Sequence, residues 1–222
     1  LLKYARQDVR FLRSHDIKAI LVACGTVSTT ALPQLRQESD IPILGVVEPA
    51  CRRAAAVTRN RRVGLIATAA SVRSGAYQRS LRQLDPDIAV TAKACPLFVP
   101  LVENGRFRRG DVVIETVARE YLEPLRREGL DTLILGCTHY PLLTDIIGDI
   151  MGPGVTLINT GEEAAWELKR TLRAMDLLAP EGPAGRATLC ASDQPEHFGS
   201  LAAYFLGESL TRPVQPVDID RY

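Results

Sequence analysis

Two cysteines, Cys24 and Cys137, follow apolar segments of similar sequence. When the chain is shifted along itself by the offset between them, residues 15–26 align with residues 128–139 without a gap. Each cysteine also has a threonine within two residues. Such similarity is common among βα units, and a lone cysteine after a strand is usually a packing residue. The matched pair nevertheless favours two thiols that act together.

Two thiols on opposite sides of a cleft suit a proton transfer at a carbon next to a carboxylate. Inversion at that carbon needs a base on one face and an acid on the other, and a thiolate favoured by nearby donors can act as the base. The hydroxyl groups of Thr26 and Thr138, with backbone N–H groups after each strand, would hold the carboxylate. His139 would orient or deprotonate the thiol of Cys137, or it would form hydrogen bonds only within its own loop. The residue types thus predict stereoinversion of a small carboxylic acid.

Apolar segments with the character of buried strands alternate with amphipathic segments along the chain. The predicted strands are Ala19–Ala23, Ile43–Val47, Arg62–Ala67, Ile88–Lys93, Thr132–Gly136, Val155–Ile158 and Arg186–Ala191. The predicted helices are Tyr4–Ser14, Ser71–Leu84, Val112–Arg127 and Glu162–Met175. This alternation predicts an α/β fold with parallel sheets covered on both faces. Each cysteine would then lie at the carboxyl end of a strand, where open α/β sheets bind ligands.

The composition excludes several classes of function. The 222 residues carry 27 Lys and Arg against 26 Asp and Glu, so the net charge of +1 gives no basic surface for nucleic acid or an anionic membrane. No apolar run reaches the ~20 residues of a membrane span, and the first residues lack the pattern of a signal peptide, so a cytoplasmic protein is expected. Five scattered cysteines fit neither a disulfide framework nor a closed zinc site. Dinucleotide and P-loop motifs are absent, so the sequence indicates no nucleotide cofactor. It also has no H-E-x-x-H motif and no cluster of His and Cys, so it indicates no metal.

Five blocks of the sequence match the pattern of one known family. The blocks are Leu21–Thr26, Ile41–Pro49, Gly64–Tyr77, Cys95–Gly105 (CPLFVPLVENG) and Leu133–Leu143 (LILGCTHYPLL). With these blocks the chain resembles the glutamate racemases of the cofactor-independent aspartate/glutamate racemase superfamily. The similarity extends over essentially the whole chain, and its last two blocks are the most specific.

The resemblance implies a proton transfer between two thiols that interconverts L-glutamate and D-glutamate without a cofactor and supplies D-glutamate for bacterial peptidoglycan. Carried over residue by residue, Cys24 would deprotonate D-glutamate and Cys137 would deprotonate L-glutamate. Glu103 and His139 match residues that tune the thiols, and His139 would assist Cys137. The positions that match substrate-binding residues are Gly25, Thr26, Thr68, Ser71 and Thr138.

The resemblance also implies two pseudo-symmetric α/β domains with the active site in the cleft between them. Residues 1–46 and 160–222 would form the first domain, and residues 47–159 would form the second. This division agrees with the internal repeat. The expected partner is the small-molecule substrate glutamate, and a homodimer is left open.

Two departures from the family pattern leave alternatives open. The family's first strand and its Asp-Ser-Gly loop have no counterpart in the given sequence, so a racemase-fold binding protein without turnover is one alternative. Gly25 stands where the family usually has an Asn that contacts the substrate. Racemisation of aspartate or of another small acidic amino acid is therefore the other alternative.

The remaining conspicuous residues are predicted to have structural roles. Trp166 is expected in the core because of its helical spacing from neighbouring apolar residues. Glu48 opens a helix, where a carboxylate complements the helix dipole. Packing roles are predicted for Cys51, Cys95 and Cys190, and structural positions in solvent for His15 and His197.

Overall fold

The computed structural model describes residues 1–182, 185–207 and 210–222 as a mixed α/β protein. Its helices are α1 (Leu2–Arg13), α2 (Gly25–Thr30), α3 (Leu32–Gln37), α4 (Val47–Val57), α5 (Ala69–Ser74), α6 (Ala76–Leu84), α7 (Phe98–Glu103), α8 (Val112–Arg127), α9 (Thr144–Met151), α10 (Thr160–Ala174) and α11 (Pro195–Leu206). Its strands are β1 (Ile20–Val22), β2 (Ile43–Gly45), β3 (Arg62–Ala67), β4 (Ala89–Ala94), β5 (Thr132–Leu135), β6 (Thr156–Asn159), β7 (Cys190–Ala191) and β8 (Gln215–Pro216). None of the helices within these ranges combines the length and the apolar character that crossing a membrane requires.

The largest sheet has four parallel strands in the order β4-β3-β5-β6. Side chains of β3 alternate between its faces, with Leu65 and Ala67 packed on one side and Ile66 on the other. Helices α4 and α6 cover the first face, and α7, α8 and α9 cover the second. Burial of both faces explains why the central strands are almost continuously apolar. The predicted α/β class with parallel sheets is confirmed.

A smaller parallel sheet contains β1 and β2, with Ile20 opposite Ile43. Side chains from α1 and α3 pack on these strands and form a separate core. The last residues of the chain pack against α1, where Gln7 Nε2 donates a hydrogen bond to the carbonyl oxygen of Ile219 at 3.2 Å. Strands β7 and β8 form a third parallel pair. The early and late parts of the chain therefore lie together, and the domain boundaries at 46/47 and 159/160 stay a prediction.

Three sequence predictions about individual segments are wrong. The helix predicted over Ser71–Leu84 is two helices, because Gly75 takes a left-handed conformation with φ of 65° and ends α5. The strand predicted over Arg186–Ala191 is reduced to the two residues of β7, because its partner β8 is equally short. Trp166 is 52% exposed. Ala164 faces the core on α10, and a residue two positions further along a helix points to the opposite side.

Asp131 joins the start of β5 to the turn that precedes β3. Its carboxylate accepts hydrogen bonds from the hydroxyl of Thr58 at 2.7 Å and from the backbone N–H groups of Arg59 at 2.6 Å and Asn60 at 2.8 Å. The hydroxyl of Thr132 donates a fourth bond at 2.9 Å. Burial alone would raise the pKa of Asp131, but these hydrogen bonds together hold it below its usual value. The ionised carboxylate therefore stabilises the fold.

Replacement of Asp131 with alanine is expected to lower the free energy of unfolding by about 2–4 kcal/mol, because buried donors lose their acceptor. A lowered pKa in the folded state makes this contribution complete above the pKa of the unfolded chain. The contribution is lost as the pH falls through the lower, folded-state pKa. Urea unfolding from pH 7 downwards should thus show wild type and variant converging in acid. An equal difference at every pH would contradict the role of the charge, and Asp16→Ala at an exposed position is the control.

Candidate active site

Cys24 and Cys137 occupy equivalent places in two parallel sheets. Each lies two residues after the end of its strand, β1 for Cys24 and β5 for Cys137. Cys24 is exposed and directly precedes α2, whereas Cys137 is only 7% exposed. Gly25, which follows Cys24, packs against the carbonyl group of Gly136, which precedes Cys137. A negative charge on Cys24 accordingly raises the pKa of Cys137. The structure thus brings together the two cysteines that the internal repeat aligns.

Burial has the largest effect on the ionisation of Cys137, and the pKa of this thiol is raised above its ordinary value. Hydrogen bonds from the main-chain N–H of His139 and from the hydroxyl of Thr138 lower the pKa in part. The charges of Cys24 and Glu103 raise it further. Cys137 is therefore mainly a neutral thiol at neutral pH, and it needs a proton acceptor before it can act as a base.

Glu103, His139 and Cys137 form a hydrogen-bonded chain. His139 Nε2 lies 2.9 Å from Glu103 Oε1, and His139 Nδ1 lies 3.7 Å from Cys137 Sγ. Because the carboxylate accepts the Nε2 proton, the neutral imidazole presents an unprotonated Nδ1 to the thiol. The side chain of His139 is 21% exposed and that of Glu103 is 39% exposed. The imidazole can take the proton of the shielded thiol, and the carboxylate stabilises the resulting charge.

Tyr140 holds this hydrogen-bonded chain in the fold. Its hydroxyl donates to the carbonyl oxygen of Cys95 at 3.0 Å, and its ring packs edge-on against Phe98 with the centroids 5.2 Å apart. All three residues are fully buried. Tyr140 follows His139 directly, and Phe98 begins α7, the helix that ends at Glu103. The aromatic contact therefore fixes where the carboxylate and the imidazole meet, and the packing role predicted for Cys95 is confirmed.

Three of the hydroxyl groups predicted to bind substrate form a hydrogen-bonded row. Thr26 Oγ1 lies 2.9 Å from Thr68 Oγ1, which donates to Ser71 Oγ at 3.1 Å. Because Thr68 has a single hydroxyl proton, Thr26 must be the donor in the first of these bonds. The row joins α2, which follows the first thiol, to α5 beside the largest sheet. The hydroxyl of Thr138 lies apart from it, 3.5 Å from His139 Nδ1.

Two contacts in the site involve residues that sequence reasoning missed. The backbone of Gly25 packs against the carbonyl group of Gly136, the residue before the second thiol. Phe205, near the end of α11, packs edge-on against the ring of His139 with the centroids 5.7 Å apart. The aromatic residues of α11 are visible in the sequence, but no sequence pattern indicates which surface the helix covers.

The other conspicuous residues have the following positions. Cys51 is fully buried, as predicted, and Cys190 is half-buried in β7. His15 and His197 are exposed, and Glu48 lies in the first turn of α4, in agreement with the sequence analysis.

The site offers thiol, imidazole, carboxylate and hydroxyl groups, all of which exchange protons. Across residues 1–182, 185–207 and 210–222, no group of three or more His, Cys, Asp or Glu side chains is arranged to hold a metal ion.

Comparisons with known proteins find similar sequences and similar folds. A sequence model of the family described as Asp/Glu/Hydantoin racemase matches residues 1–168. A glutamate racemase from Geobacter metallireducens is 44% identical over 208 residues, which cover 94% of this chain and 76% of that protein. The crystal structure of a glutamate racemase isoform from Bacillus anthracis is 34% identical, with a TM-score of 0.91 over 98% of this chain and 80% of that chain. The glutamate racemase of Francisella tularensis in complex with D-glutamate is 31% identical, with a TM-score of 0.89 over 100% of this chain and 81% of that chain.

Proposed function

The chain belongs to the Asp/Glu/hydantoin racemase family, and from this premise we propose that it interconverts L-glutamate and D-glutamate by proton transfer between two thiols. The observation that carries the proposal is the pairing of Cys24 and Cys137 after equivalent strands. The product D-glutamate is used in bacterial peptidoglycan synthesis. We place the reaction in the cytoplasm, where thiols such as the five free cysteines of this chain stay reduced.

The proposed reaction breaks the Cα–H bond of the substrate on one face and forms a new one on the other. In the direction from D-glutamate, the thiolate of Cys24 takes the α-proton, and the thiol of Cys137 gives its proton to the opposite face of the carbanion. The reverse direction begins with the thiolate of Cys137. Because a negative charge on Cys24 raises the pKa of Cys137, the state with one thiolate and one thiol is favoured over two thiolates. This is the protonation state that each direction requires.

The hydroxyl groups of Thr26, Thr68, Ser71 and Thr138 are proposed to bind the carboxylate and amino groups of the substrate. The position of these hydroxyl groups beside the two thiols supports this proposal. The hydrogen bond between Thr26 and Thr68 joins residues on the two sides of the boundary at 46/47. We therefore propose that the site lies between the segments 1–46 with 160–222 and 47–159.

The function is tested by incubating the purified protein with L-glutamate in D2O, without added metal or cofactor. Proton NMR follows the α-proton, and a chiral assay identifies the product. We expect D-glutamate that carries solvent deuterium, because its new α-hydrogen comes from a thiol that exchanges with water. The mixture should approach equal amounts of the enantiomers, which have equal free energies. Failure to form D-glutamate would contradict the proposal.

Racemisation of aspartate is a second candidate function. Gly25 has no side chain that could select glutamate as the substrate by donating a hydrogen bond. The same experiment with L-aspartate separates the two reactions. Turnover of aspartate alone would move the assignment to that substrate. Exchange of neither amino acid would favour a racemase-fold binding protein.

A further inference from the structure

Two adjacent aromatic residues near the end of α11 pack against the elements that carry Glu103 and His139. Phe205 lies edge-on to the imidazole ring of His139, with the centroids 5.7 Å apart and the ring planes at 83°. Tyr204 lies edge-on to Phe107, with the centroids 5.2 Å apart. Phe107 belongs to the segment that follows Glu103, the last residue of α7. The end of one helix therefore contacts the imidazole itself and the segment beside the carboxylate.

Tyr204 also lies close to the turn that ends α7. Gly105 has a φ of 76°, and an ideal Cβ there would lie 3.7 Å from Tyr204 Oη, at ordinary van der Waals distance. The N–H of Gly105 donates to the carbonyl oxygen of Val102 at 2.9 Å, so this turn closes on the helix. Contact with Tyr204 thus restrains the end of α7, where Glu103 projects.

The side chains of this hydrogen-bonded chain need such contacts. The aromatic packing beneath the site fixes the main chain, but the last side-chain torsion of a histidine is broad. Glu103 Oε1 holds His139 Nε2 at 2.9 Å, whereas the contact of Nδ1 with Cys137 Sγ is longer, at 3.7 Å. The ring is therefore held more closely at one nitrogen than at the other. The edge-on contact with Phe205 limits how far the ring can tilt away from the thiol.

We propose that Tyr204 and Phe205 are positioning residues, which hold Glu103 and His139 in the alignment that lets the imidazole accept the proton of Cys137. This inference rests on the proposed two-thiol racemisation. Each aromatic side chain acts through the residue or turn that it contacts and takes no part in the proton transfer itself. An edge-on aromatic contact favours the aligned state by roughly 2-fold to 10-fold in population.

Helix α11 belongs to a different segment of the chain from the groups that it positions. It lies within residues 160–222, whereas Glu103, Cys137 and His139 lie within residues 47–159. Helix α11 also packs against β7, in its own segment. On this proposal, the alignment of the imidazole depends on contact between the two segments.

Paired variants separate the aromatic contacts from the stability of α11. Phe205→Leu removes the ring, and leucine is apolar and has a high helix propensity. Phe205 is 42% exposed, so we expect this variant to fold. Phe198→Leu is the matched control, because Phe198 is 40% exposed and lies two turns earlier in the same helix. Tyr204→Leu tests the contact with Phe107, and Tyr204→Phe is its control because it keeps the ring.

The kinetic experiment measures kcat and KM for L-glutamate in these variants. We expect kcat to fall about 2-fold to 10-fold in Phe205→Leu and in Tyr204→Leu, with little change in KM. Phe198→Leu and Tyr204→Phe should match the wild type. Added to His139→Asn, Phe205→Leu should cause no further loss, because the group that it positions is gone. Wild-type kcat in Phe205→Leu, or a further loss of the same size in the double variant, would overturn the proposal.

Nitrogen NMR of the histidine rings tests the alignment without turnover. His139→Asn identifies the signals of His139 among the three histidines. In mildly alkaline solution, wild type and Phe198→Leu should show one tautomer of His139, with the proton on Nε2, because Glu103 accepts it. Phe205→Leu should show a mixture of tautomers, as expected for the exposed His197.

The tautomer separates failure of this inference from failure of the proposed function. An unchanged tautomer of His139 in Phe205→Leu would overturn the positioning role. A changed tautomer in Phe205→Leu, in a protein whose wild type does not racemise glutamate, would instead contradict the proposed function alone.

Discussion

Alanine in place of either Cys24 or Cys137 is expected to lower the rate of glutamate racemisation by at least about 10³-fold. Each thiol supplies the only proposed acid/base group on its face of the substrate, and inversion needs both. The rates of formation of D-glutamate from L-glutamate and of L-glutamate from D-glutamate are measured by chiral chromatography. Cys190→Ala should retain wild-type activity, since Cys190 lies in β7 and belongs to neither thiol-bearing turn.

Hydrogen exchange by the two cysteine variants also assigns each thiol to one enantiomer. Cys24→Ala retains Cys137, so it should exchange the α-proton of L-glutamate with solvent without inverting it. Cys137→Ala should do the same only with D-glutamate. The opposite pattern would reverse the assignment of Cys24 and Cys137 to the two enantiomers. Substantial racemisation by either variant would contradict the two-thiol mechanism.

The parallel core of the fold could be predicted because its strands are buried on both faces. Burial makes β3 and β5 continuously apolar, and such segments stand out between amphipathic helices. The bounds of α8 were also predictable, since Asp111 caps its first turn and Gly129 follows its end. Gly75 shows the limit of periodicity. The apolar pattern continues from α5 to α6, and only the left-handed conformation of this glycine divides them.

The candidate site was only partly predictable because its contacts depend on tertiary structure. The repeat identified Cys24 and Cys137 from the sequence alone, whereas Glu103 was identified only by resemblance. No spacing rule connects the end of α7 to His139, which meets Glu103 because aromatic rings pack between their elements. The contact of Phe205 with His139 has no counterpart in a local pattern. It depends on where α11 packs, and periodicity does not specify that.

Replacement of His139 with asparagine is expected to lower kcat for L-glutamate by about 10²-fold at neutral pH. Burial raises the pKa of Cys137, and the imidazole is the group placed to accept its proton. An asparagine amide can form a hydrogen bond to the sulfur, but it cannot accept a proton at neutral pH. The main-chain N–H at position 139, which lowers the pKa of Cys137, remains in the variant.

The pH dependence of the variant tests this role of His139. Without the imidazole, Cys137 must release its proton directly at its raised pKa, so the rise of kcat with pH should move to higher pH and activity should recover in alkaline solution. The values of kcat/KM must remain equal in the two directions, because the enantiomers have equal free energies. The effect of His139→Asn is therefore measured as the pH dependence of kcat with L-glutamate. His15→Asn, at an exposed position, is the control for loss of a histidine.

The variant Glu103→Gln separates two effects of Glu103, its negative charge and its orientation of the His139 imidazole. Glutamine still offers an oxygen that accepts the proton of His139 Nε2, so the imidazole keeps Nδ1 towards Cys137 while the negative charge is lost. The negative charge that would stabilise the protonated imidazole is lost, but the imidazole remains present as a proton acceptor. We therefore expect a smaller loss of kcat for Glu103→Gln than for His139→Asn. The reverse order, or a pH profile of His139→Asn that coincides with that of the wild type, would show that Cys137 ionises without help from the imidazole.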